Sequence, residues 1–406
     1  MNKRIIKVIA LLLVLQSIIV GNSFSQNQRF KNLATTPPMG WNSWNWFGKH
    51  DINEQLVREV IDAMVSTGLR DAGYRYMVID GGWRDTKLGP NGELLCHPVK
   101  FPNGIKPLAD YAHERGLKIG LHTVPGTHDC AGDPVGGYGY EEVHIAQFVD
   151  WGIDFIKLDR CQYNNEEGWT EELIHDLYTK WSELIQETGR DIIFNISAYE
   201  FREWNPEISH MSRTTYDISA KVTGGANFID ETPVDNFLSV MTIAEQNNEV
   251  AEYARTGYWN DPDMMVTGEQ GLTLEEQKAH FALWCIMSSP LFLGNDPRNM
   301  TSEERGIILN ETAIAINQAP GGQGTRIQQK GDTEIWAKRM CDGKTAVLLL
   351  NRKPDAKVSI SFDLKDIGVS GKARIHDIYA EKELGIFYGK FSGQVSPRSG
   401  LFILVE

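Results

Sequence analysis

Eight short apolar segments alternate with amphipathic segments between residues 38 and 310, and this alternation constrains the fold more than any other feature. The amphipathic segments repeat apolar residues at helical spacing, as in Leu56, Val57, Val60, Ile61 and Met64. The apolar segments, which have the length of buried strands, cover residues 38–42, 76–80, 117–123, 155–159, 192–197, 212–217, 258–261 and 290–293. Eight strand–helix units predict an α/β protein with a (β/α)8 TIM barrel.

Polar side chains recur where the predicted strands end. They are Asp80, Thr123, Asp159, Asp217, Asp261, Asp263, Asn295 and Asp296. In barrels of this kind the catalytic groups lie at the C-terminal ends of the strands. A single acid at a strand end says little, whereas several in one register are hard to explain as solvated surface. The pattern therefore predicts an enzyme.

The segment Phe155–Asp159 carries the most informative pair of charges. Side chains alternate along a strand, so Lys157 and Asp159 share one face. A cation two residues away favours the ionised carboxylate, and an ionised, positioned carboxylate is a candidate nucleophile. A purely structural ion pair is the alternative interpretation of an isolated pair.

A second carboxylate is needed for acid–base chemistry, and three candidates compete. If residues 212–217 form a regular strand, Arg213 and Asp217 share a face, which makes Asp217 a plausible acid/base. Asp261 and Asp263 are its rivals. Spacing alone does not decide between the three.

The pattern changes after residue 322. Short strand-like segments separated by Gly, Asp, Lys and Ser predict a small antiparallel β-domain that packs against the barrel. These segments cover residues 334–338, 345–350, 358–362, 373–378 and 401–405. The predicted domains are a signal peptide at 1–25, the catalytic barrel at 26–322 and the C-terminal β-domain at 323–406.

The signal peptide is predicted from three basic residues followed by an apolar run. Lys3, Arg4 and Lys7 precede the run at 8–20, and a small-x-small site follows at 23–25. The rest of the sequence has no long apolar stretch, so we expect an exported protein without a membrane anchor, either periplasmic or extracellular. The net charge of −14 argues against nucleic acid as a partner. The oligomeric state stays open.

Several common catalytic motifs are absent from the sequence. It contains no P-loop, no G-x-G-x-x-G after a strand, no H-E-x-x-H and no G-x-S-x-G, and the histidines lack ligand spacing. Carboxylates, tryptophans and basic residues at a barrel mouth remain. Two carboxylates that flank a bond are the arrangement of a glycosidase.

Motifs along nearly the whole chain resemble those of glycoside hydrolase family 27, the α-galactosidase and α-N-acetylgalactosaminidase (melibiase) family. The matching stretches are TPPMGWNSWNWFG, YMVIDGGW, CAG, GYEE, WGIDFIKLDRC, SRTTYDI, YWNDPDMM, SPLFLGND and AINQAPGGQG. The resemblance implies a (β/α)8 barrel followed by a C-terminal antiparallel β-sandwich. It also implies hydrolysis that releases terminal α-D-galactose from oligo- or polysaccharides, with a carbohydrate as the partner.

The resemblance also implies a role for each matching residue. Asp159 is the nucleophile and Asp217 the acid/base of a retaining double displacement, with the two carboxyl groups about 5–5.5 Å apart. The substrate-binding residues are Trp41, Asp80, Lys157, Arg213 and Asp263. Cys130 and Cys161 match the disulfide that flanks the site. No metal or organic cofactor is implied.

The sequence departs from the family pattern on the sugar-recognition side. The usual I-D-D-C-W is Ile79-Asp80-Gly81-Gly82-Trp83 here, so the acid that helps recognise the 4- and 6-hydroxyls is absent. The usual Y-S-D is replaced within residues 121–126, and the loop at the 2-position becomes 196–199. A missing hydrogen-bonding group of this kind can change the preferred sugar.

The alternatives to an α-galactosidase follow from these departures. If Ala198 faces the 2-substituent, it leaves room for an N-acetyl group, as in an α-N-acetylgalactosaminidase. A β-L-arabinopyranosidase lacks the 6-hydroxymethyl contact, and an α-glucan-cleaving enzyme is also open. A non-catalytic carbohydrate-binding protein is the alternative from another class, and the presence of both Asp159 and Asp217 argues against it.

Overall fold

The computed structural model describes residues 30–161, 169–229 and 237–406. In chain order, the strands of the first part are β1 (Met39–Asn42), β2 (Tyr76–Ile79), β3 (Arg84–Leu88), β4 (Leu94–Cys96), β5 (Lys118–Thr123), β6 (Phe155–Asp159), β7 (Ile193–Ser197), β8 (Met211–Arg213), β9 (Trp259–Asp261) and β10 (Leu291–Leu293). Strands β3 and β4 form a separate hairpin. The other eight are parallel, in the order β10-β1-β2-β5-β6-β7-β8-β9.

The two ends of this sheet meet just beyond β9. Met265 pairs with Leu293 in a parallel bridge. The Met265 N–H donates to the Phe292 carbonyl at 2.7 Å, and the Gly294 N–H donates to the Met265 carbonyl at 3.1 Å. These bonds close the ring, and the predicted (β/α)8 barrel is confirmed.

Helices surround the barrel, and several of them begin at side-chain caps. They are α1 (Trp44–Asp51), α2 (Glu54–Ser66), α3 (Leu69–Ala72), α4 (Lys106–Glu114), α5 (Glu141–Trp151), α6 (Glu171–Glu187), α7 (Asn205–Ile208), α8 (Val240–Glu249), α9 (Leu274–Ile286), α10 (Ser302–Ile308) and α11 (Glu311–Gln318). At the start of α9, Thr273 and Glu276 form a capping box. Helix α6 begins where the Thr170 side chain accepts a bond from the Leu173 N–H. No helix within the described ranges is both long and apolar enough to cross a membrane.

Alternation along the strands separates two apolar layers. Residues such as Met39, Ile79 and Leu121 point outward and pack in the core shared with the helices. Val78 and Phe155 belong to a second cluster inside the barrel. Further along the same inward register, the side chains become charged, and this change creates a polar site above an apolar plug.

The chain then forms a second domain of antiparallel sheets. Its strands are β11 (Thr325–Lys330), β12 (Thr333–Arg339), β13 (Thr345–Asn351), β14 (Val358–Asp363), β15 (Lys372–Asp377), β16 (Lys382–Tyr388), β17 (Lys390–Val395) and β18 (Ser399–Val405). Six pair in the order β11-β12-β13-β18-β15-β16, and β14 pairs with β17. The inner faces share a core that includes Val347, Phe362 and Ile403. The predicted fold class is therefore confirmed in both parts.

Contacts across the two domains are specific. The buried ammonium of Lys338 in β12 donates to the Ile316 and Asn317 carbonyls at the end of α11. The Tyr379 hydroxyl donates to the Lys278 carbonyl in α9 at 2.8 Å. The Lys338 bonds satisfy carbonyl oxygens that a helix end leaves free. Together with the Tyr379 bond, they join the β-domain to the barrel. The predicted boundary at 322 and 323 lies between α11 and β11 and stays a prediction, and the predicted signal peptide lies outside the described residues.

One strand is shorter than the sequence indicates. The sixth barrel strand, predicted at 212–217, ends at Arg213, and Thr215 and Tyr216 form a bend. The argument that strand alternation aligns Arg213 with Asp217 was therefore wrong. The two side chains nevertheless meet, because the bend returns the chain toward the strand.

Candidate active site

A cavity opens at the C-terminal ends of the barrel strands. Among its lining residues are Trp44, Asp80, Gly81, Arg84, His122, Lys157, Asp159, Tyr199, Arg213, Asp217 and Asp263. Six of the seven residues predicted to act on the sugar are in this lining: both catalytic candidates and four of the five substrate-binding candidates. These six side chains, which extend from Asp80 to Asp263 in the sequence, thus come together at one barrel end.

Three charged side chains, one directly after β2 and two in β6, form the floor of the site. Lys157 Nζ lies 2.8 Å from Asp80 Oδ2 and 3.6 Å from Asp159 Oδ2, and all three residues are buried. Asn42 Nδ2 donates to the same oxygen of Asp80 at 2.9 Å. Burial alone would raise the pKa of Asp159, but Lys157 and His122 outweigh it, so the pKa lies below its ordinary value. Asp159 is therefore an ionised carboxylate.

His122 completes this floor, and the sequence reasoning gave it no role. Its Nε2 atom lies 3.4 Å from Asp159 Oδ2 and 4.0 Å from Asp80 Oδ1. Strand register explains the position, because His122 in β5 pairs with Lys157 in β6. The sequence signal was an inward-facing polar residue on β5, next to the strand that carries the nucleophile candidate.

The second group of charges is organised by Arg213. Its Nη1 donates to Asp217 Oδ1 at 2.9 Å, and its Nη2 lies 3.0 Å from Asp263 Oδ2. The Asp217 side chain is 41% exposed, whereas Arg213 and Asp263 are buried. Burial raises the pKa of Asp263 to about 6, and the Arg213 cation opposes this rise only in part. Of these acids, Asp217 alone can meet both a ligand and solvent water.

Asp261 was the remaining candidate for the acid/base role, but both oxygens of its carboxylate accept hydrogen bonds from within the protein. Its Oδ2 accepts a bond from Asn195 Nδ2 at 2.9 Å, and its Oδ1 accepts from the Asp263 N–H at 3.0 Å. It does not line the cavity that contains Asp159 and Asp217. Asp263 has a left-handed backbone, with φ of 84°, and its carboxylate lies beside Arg213.

The prediction that Trp41 walls the cavity is wrong. Trp41 shares the outward register of Met39, is completely buried, and donates from Nε1 to the Asn295 carbonyl. Trp44, three residues later at the start of α1, is half-buried and lines the cavity. Strand alternation within β1 already separates the outward Trp41 from the inward Asn42.

Ala198 also lies away from the cavity. It is fully buried in the core between barrel and helices, so the expected room for an N-acetyl group does not come from this residue. Tyr199 lines the cavity instead, with a left-handed φ of 62°. Its ring stacks on Tyr216 with centroids 5.5 Å apart and planes 11° from parallel. Of the two stacked rings, Tyr199 lines the cavity together with Asp217.

The predicted disulfide is present at the edge of the site. Cys130 and Cys161 are joined, with Cα atoms 4.7 Å apart. Their sulfur atoms lie near His122 and Asp159, in the one group of potential metal ligands within the described residues. Disulfide sulfurs are not thiolates, so this group does not have the donors of a zinc site.

Comparison with known proteins finds relatives that match most of the chain. The family model described as alpha galactosidase A matches residues 36–319, and that of the alpha galactosidase C-terminal beta sandwich domain matches residues 330–403. Alpha-galactosidase 2 of Arabidopsis thaliana is 34% identical, covering 97% of this chain and 96% of its own. Alpha-galactosidase A of Cellvibrio japonicus is 37% identical, covering 88% and 85%.

A solved structure shares the complete architecture. The crystal structure of alpha-galactosidase I from Mortierella vinacea superposes with a TM-score of 0.86 at 33% identity, covering 92% of this chain and 98% of that one. The barrel and the β-sandwich therefore both have counterparts in that structure. The chain belongs to the α-galactosidase family, glycoside hydrolase family 27, and is an α-galactosidase-like glycosidase.

Proposed function

We propose that the protein is an exported retaining α-galactosidase that releases terminal α-D-galactose from oligo- or polysaccharides. One observation carries the proposal: an ionised, buried Asp159 and a partly exposed Asp217 line the same cavity, and each is held by its own cation. A nucleophile needs shelter from water, whereas an acid/base must exchange protons with it.

In the first step, Asp159 attacks the anomeric carbon of the sugar. The bond from that carbon to the leaving oxygen breaks, and Asp217 gives its proton to this oxygen. Lys157 and His122 keep Asp159 ionised before attack, with Nζ at 3.6 Å and Nε2 at 3.4 Å from Oδ2. The other oxygen, Oδ1, is buried without a hydrogen-bond partner among the described residues and is thus unencumbered for attack.

In the second step, water releases the sugar from Asp159. Asp217, now ionised, removes a proton from the water, which attacks the anomeric carbon as the bond to Asp159 breaks. Asp217 returns to its starting protonated form, and two inversions give net retention. Arg213 lies 2.9 Å from Asp217 Oδ1 and stabilises the carboxylate between the two steps.

The remaining lining residues bind the sugar. Asp80 and Lys157 would hold hydroxyls on one edge of the ring, and Arg213 with Asp263 would hold the 2-position side. Trp44 offers an aromatic face for the apolar side of the sugar. The absence of a side chain at Gly81 favours a second candidate, a β-L-arabinopyranosidase, because that sugar has no 6-hydroxymethyl group to recognise.

Initial rates on p-nitrophenyl glycosides test the proposal. The panel contains the α-D-galactoside, α-N-acetylgalactosaminide, β-L-arabinopyranoside and α-D-glucoside. We expect the α-D-galactoside to give the highest kcat/KM, and NMR to detect α-galactose as the first product. A different leading sugar changes the substrate assignment, and β-galactose as the first product excludes the retaining mechanism.

Export rests on the N-terminal pattern of basic residues, apolar run and small-x-small site, together with the Cys130–Cys161 disulfide. Fractionation of cells that express the full chain tests it. We expect the protein outside the cytoplasm and shortened at its N-terminus. Full-length protein confined to the cytoplasm would contradict export.

A further inference from the structure

Arg84 is a buried cation that the proposed mechanism does not use. It is the first residue of β3, shortly after the end of β2, and its side chain is 3% exposed. Nevertheless it lines the same cavity as Asp159, on the side occupied by Asp80 and Gly81. A charged side chain so deeply buried requires partners, because desolvation of an unpaired charge is costly.

The hydrogen bonds of Arg84 are incomplete. A guanidinium carries five N–H donors. Nη1 reaches Thr123 Oγ1 at 3.4 Å, and Nη2 lies 3.7 Å from Asp129 Oδ2, which is beyond a normal hydrogen bond. Nε has no partner in the part of the chain that the structure describes. The group therefore keeps donor capacity in a site shielded from bulk water.

The neighbours of Arg84 leave part of its guanidinium without a hydrogen-bond partner among the described residues. Gly81 has no side chain, and a Cβ at this position would lie only 3.2 Å from the ring of Trp44, which is a tight contact. Asp80 is already engaged by Lys157 and Asn42. This side of the cavity thus presents the guanidinium of Arg84 near Gly81, which has no side chain.

The proposed function sets the orientation of the sugar, and the present inference rests on it. The anomeric carbon lies between Asp159 and Asp217, with the 2-position toward Arg213 and Asp263. The opposite edge of the ring, which carries C4 to C6, then faces Asp80, Gly81 and Arg84. We propose that Arg84 is a substrate-binding residue that recognises an oxygen on C6 of the terminal sugar, beside Gly81.

Two C6 groups offer this oxygen: the hydroxymethyl of a galactoside and the carboxylate of a galacturonide. A guanidinium donates to either, and it can bind a carboxylate through two parallel bonds. A sugar without C6, such as the β-L-arabinopyranoside, has the same ring configuration and offers neither. The three glycosides therefore form a matched series that differs only at this position.

The test compares kcat/KM for the three p-nitrophenyl glycosides in the wild type, Arg84→Ala and Arg84→Lys. In Arg84→Ala we expect a loss of about 10- to 100-fold on the preferred C6-bearing sugar. On the arabinopyranoside we expect a change within about twofold. Arg84→Lys should recover part of the loss, and the ranking of galactoside and galacturonide identifies the C6 group. An equal loss on all three sugars overturns the proposal.

Asp129→Asn is the control for a merely structural role. Asp129 Oδ1 accepts bonds from the Ala131 and Asp133 N–H groups, so it shapes the loop that contains Cys130. If Arg84 serves only to hold this loop, both variants should lower the melting temperature and the rates on all sugars alike. A substrate-dependent loss in Arg84→Ala alone supports recognition.

Calorimetric binding of free galactose, galacturonic acid and arabinose separates the two proposals. If the wild type turns over no glycoside, the proposed function fails, but Arg84 is still tested by the change in affinity for sugars with and without C6. If the wild type is active and Arg84→Ala weakens all three sugars equally, only the role of Arg84 fails.

Discussion

The ammonium nitrogen of Lys157 lies 3.6 Å from Oδ2 of Asp159, two residues further along the same buried strand. At this distance, in a site from which water is largely excluded, the cation favours the ionised carboxylate strongly. The nucleophile proposed for this enzyme is thus prepared by its own strand, before any substrate arrives.

Replacement of this cation should change the pH profile of the enzyme. Without Lys157, burial is less strongly opposed and the pKa of Asp159 rises, so less of the carboxylate is ionised in acid. In Lys157→Met we expect the acidic limb of kcat/KM to move upward by about one pH unit or more. Asp80→Asn is the control for disruption of the floor: it keeps Lys157 and removes a negative charge that raises the pKa of Asp159, so it should not move the acidic limb upward. An unmoved acidic limb in Lys157→Met would contradict this role.

Loss of Asp217 should depend on the leaving group. A p-nitrophenolate departs without protonation, whereas a sugar alkoxide needs the proton that Asp217 supplies. In Asp217→Ala we expect the rate at which a disaccharide glycosylates the enzyme to fall by about 10²–10⁴-fold. The corresponding rate with the p-nitrophenyl galactoside should fall much less. Single-turnover rates on both substrates measure this. Equal losses on the two would assign proton donation to another group.

The two tryptophans near β1 should behave differently when changed. Trp44 lines the cavity, so Trp44→Ala should raise KM about tenfold, with little effect on unfolding. Trp41 is buried in the core, so Trp41→Phe should lower the free energy of unfolding by about 1–3 kcal/mol. KM should stay near the wild-type value in Trp41→Phe. Denaturant titrations and steady-state kinetics decide, and a reversed pattern would restore Trp41 to the sugar site.

Glu269 should make the folded protein less stable as the pH rises. It is buried, accepts bonds from Asn45 Nδ2 and the Lys221 N–H, and burial raises its pKa to about 7. Between the ordinary glutamate pKa and about 7, the folded state binds the extra proton, so stability is lost as the pH rises through this range. The loss is up to about 3 kcal/mol. Glu269→Gln should therefore gain stability relative to wild type between pH 5 and pH 8, measured by thermal unfolding. If the difference in stability between Glu269→Gln and the wild type is the same at every pH, the raised pKa of Glu269 is contradicted.

The barrel was predictable because its signals are local. Strand Phe155–Asp159 was predicted with its observed bounds, and strand alternation placed Lys157 and Asp159 on one face. The short helix Asn205–Ile208 and the hairpin strands Arg84–Leu88 and Leu94–Cys96 were missed, since segments of this length carry too little periodicity.

The site was predictable where the motifs are specific and less so where position depends on packing. Asp217 meets Arg213 through a bend that no strand pattern reveals. His122 joins Asp80 and Asp159 only through the register between β5 and β6, which spacing does not give. Trp41 was misplaced because the motif containing it also contains Trp44, and strand alternation within β1 was not applied to distinguish them.

Covalent trapping of the nucleophile tests the central claim most directly. A fluorinated galactosyl fluoride slows release of the sugar from the enzyme more than its attachment, so the glycosyl-enzyme accumulates. Mass spectrometry of the digested protein should find the fluorosugar attached to Asp159, and Asp159→Ala should remain unlabelled and lose about 10³-fold or more in kcat. A label on another residue, or turnover without any covalent adduct, would contradict the assignment of Asp159 as the nucleophile of a retaining enzyme.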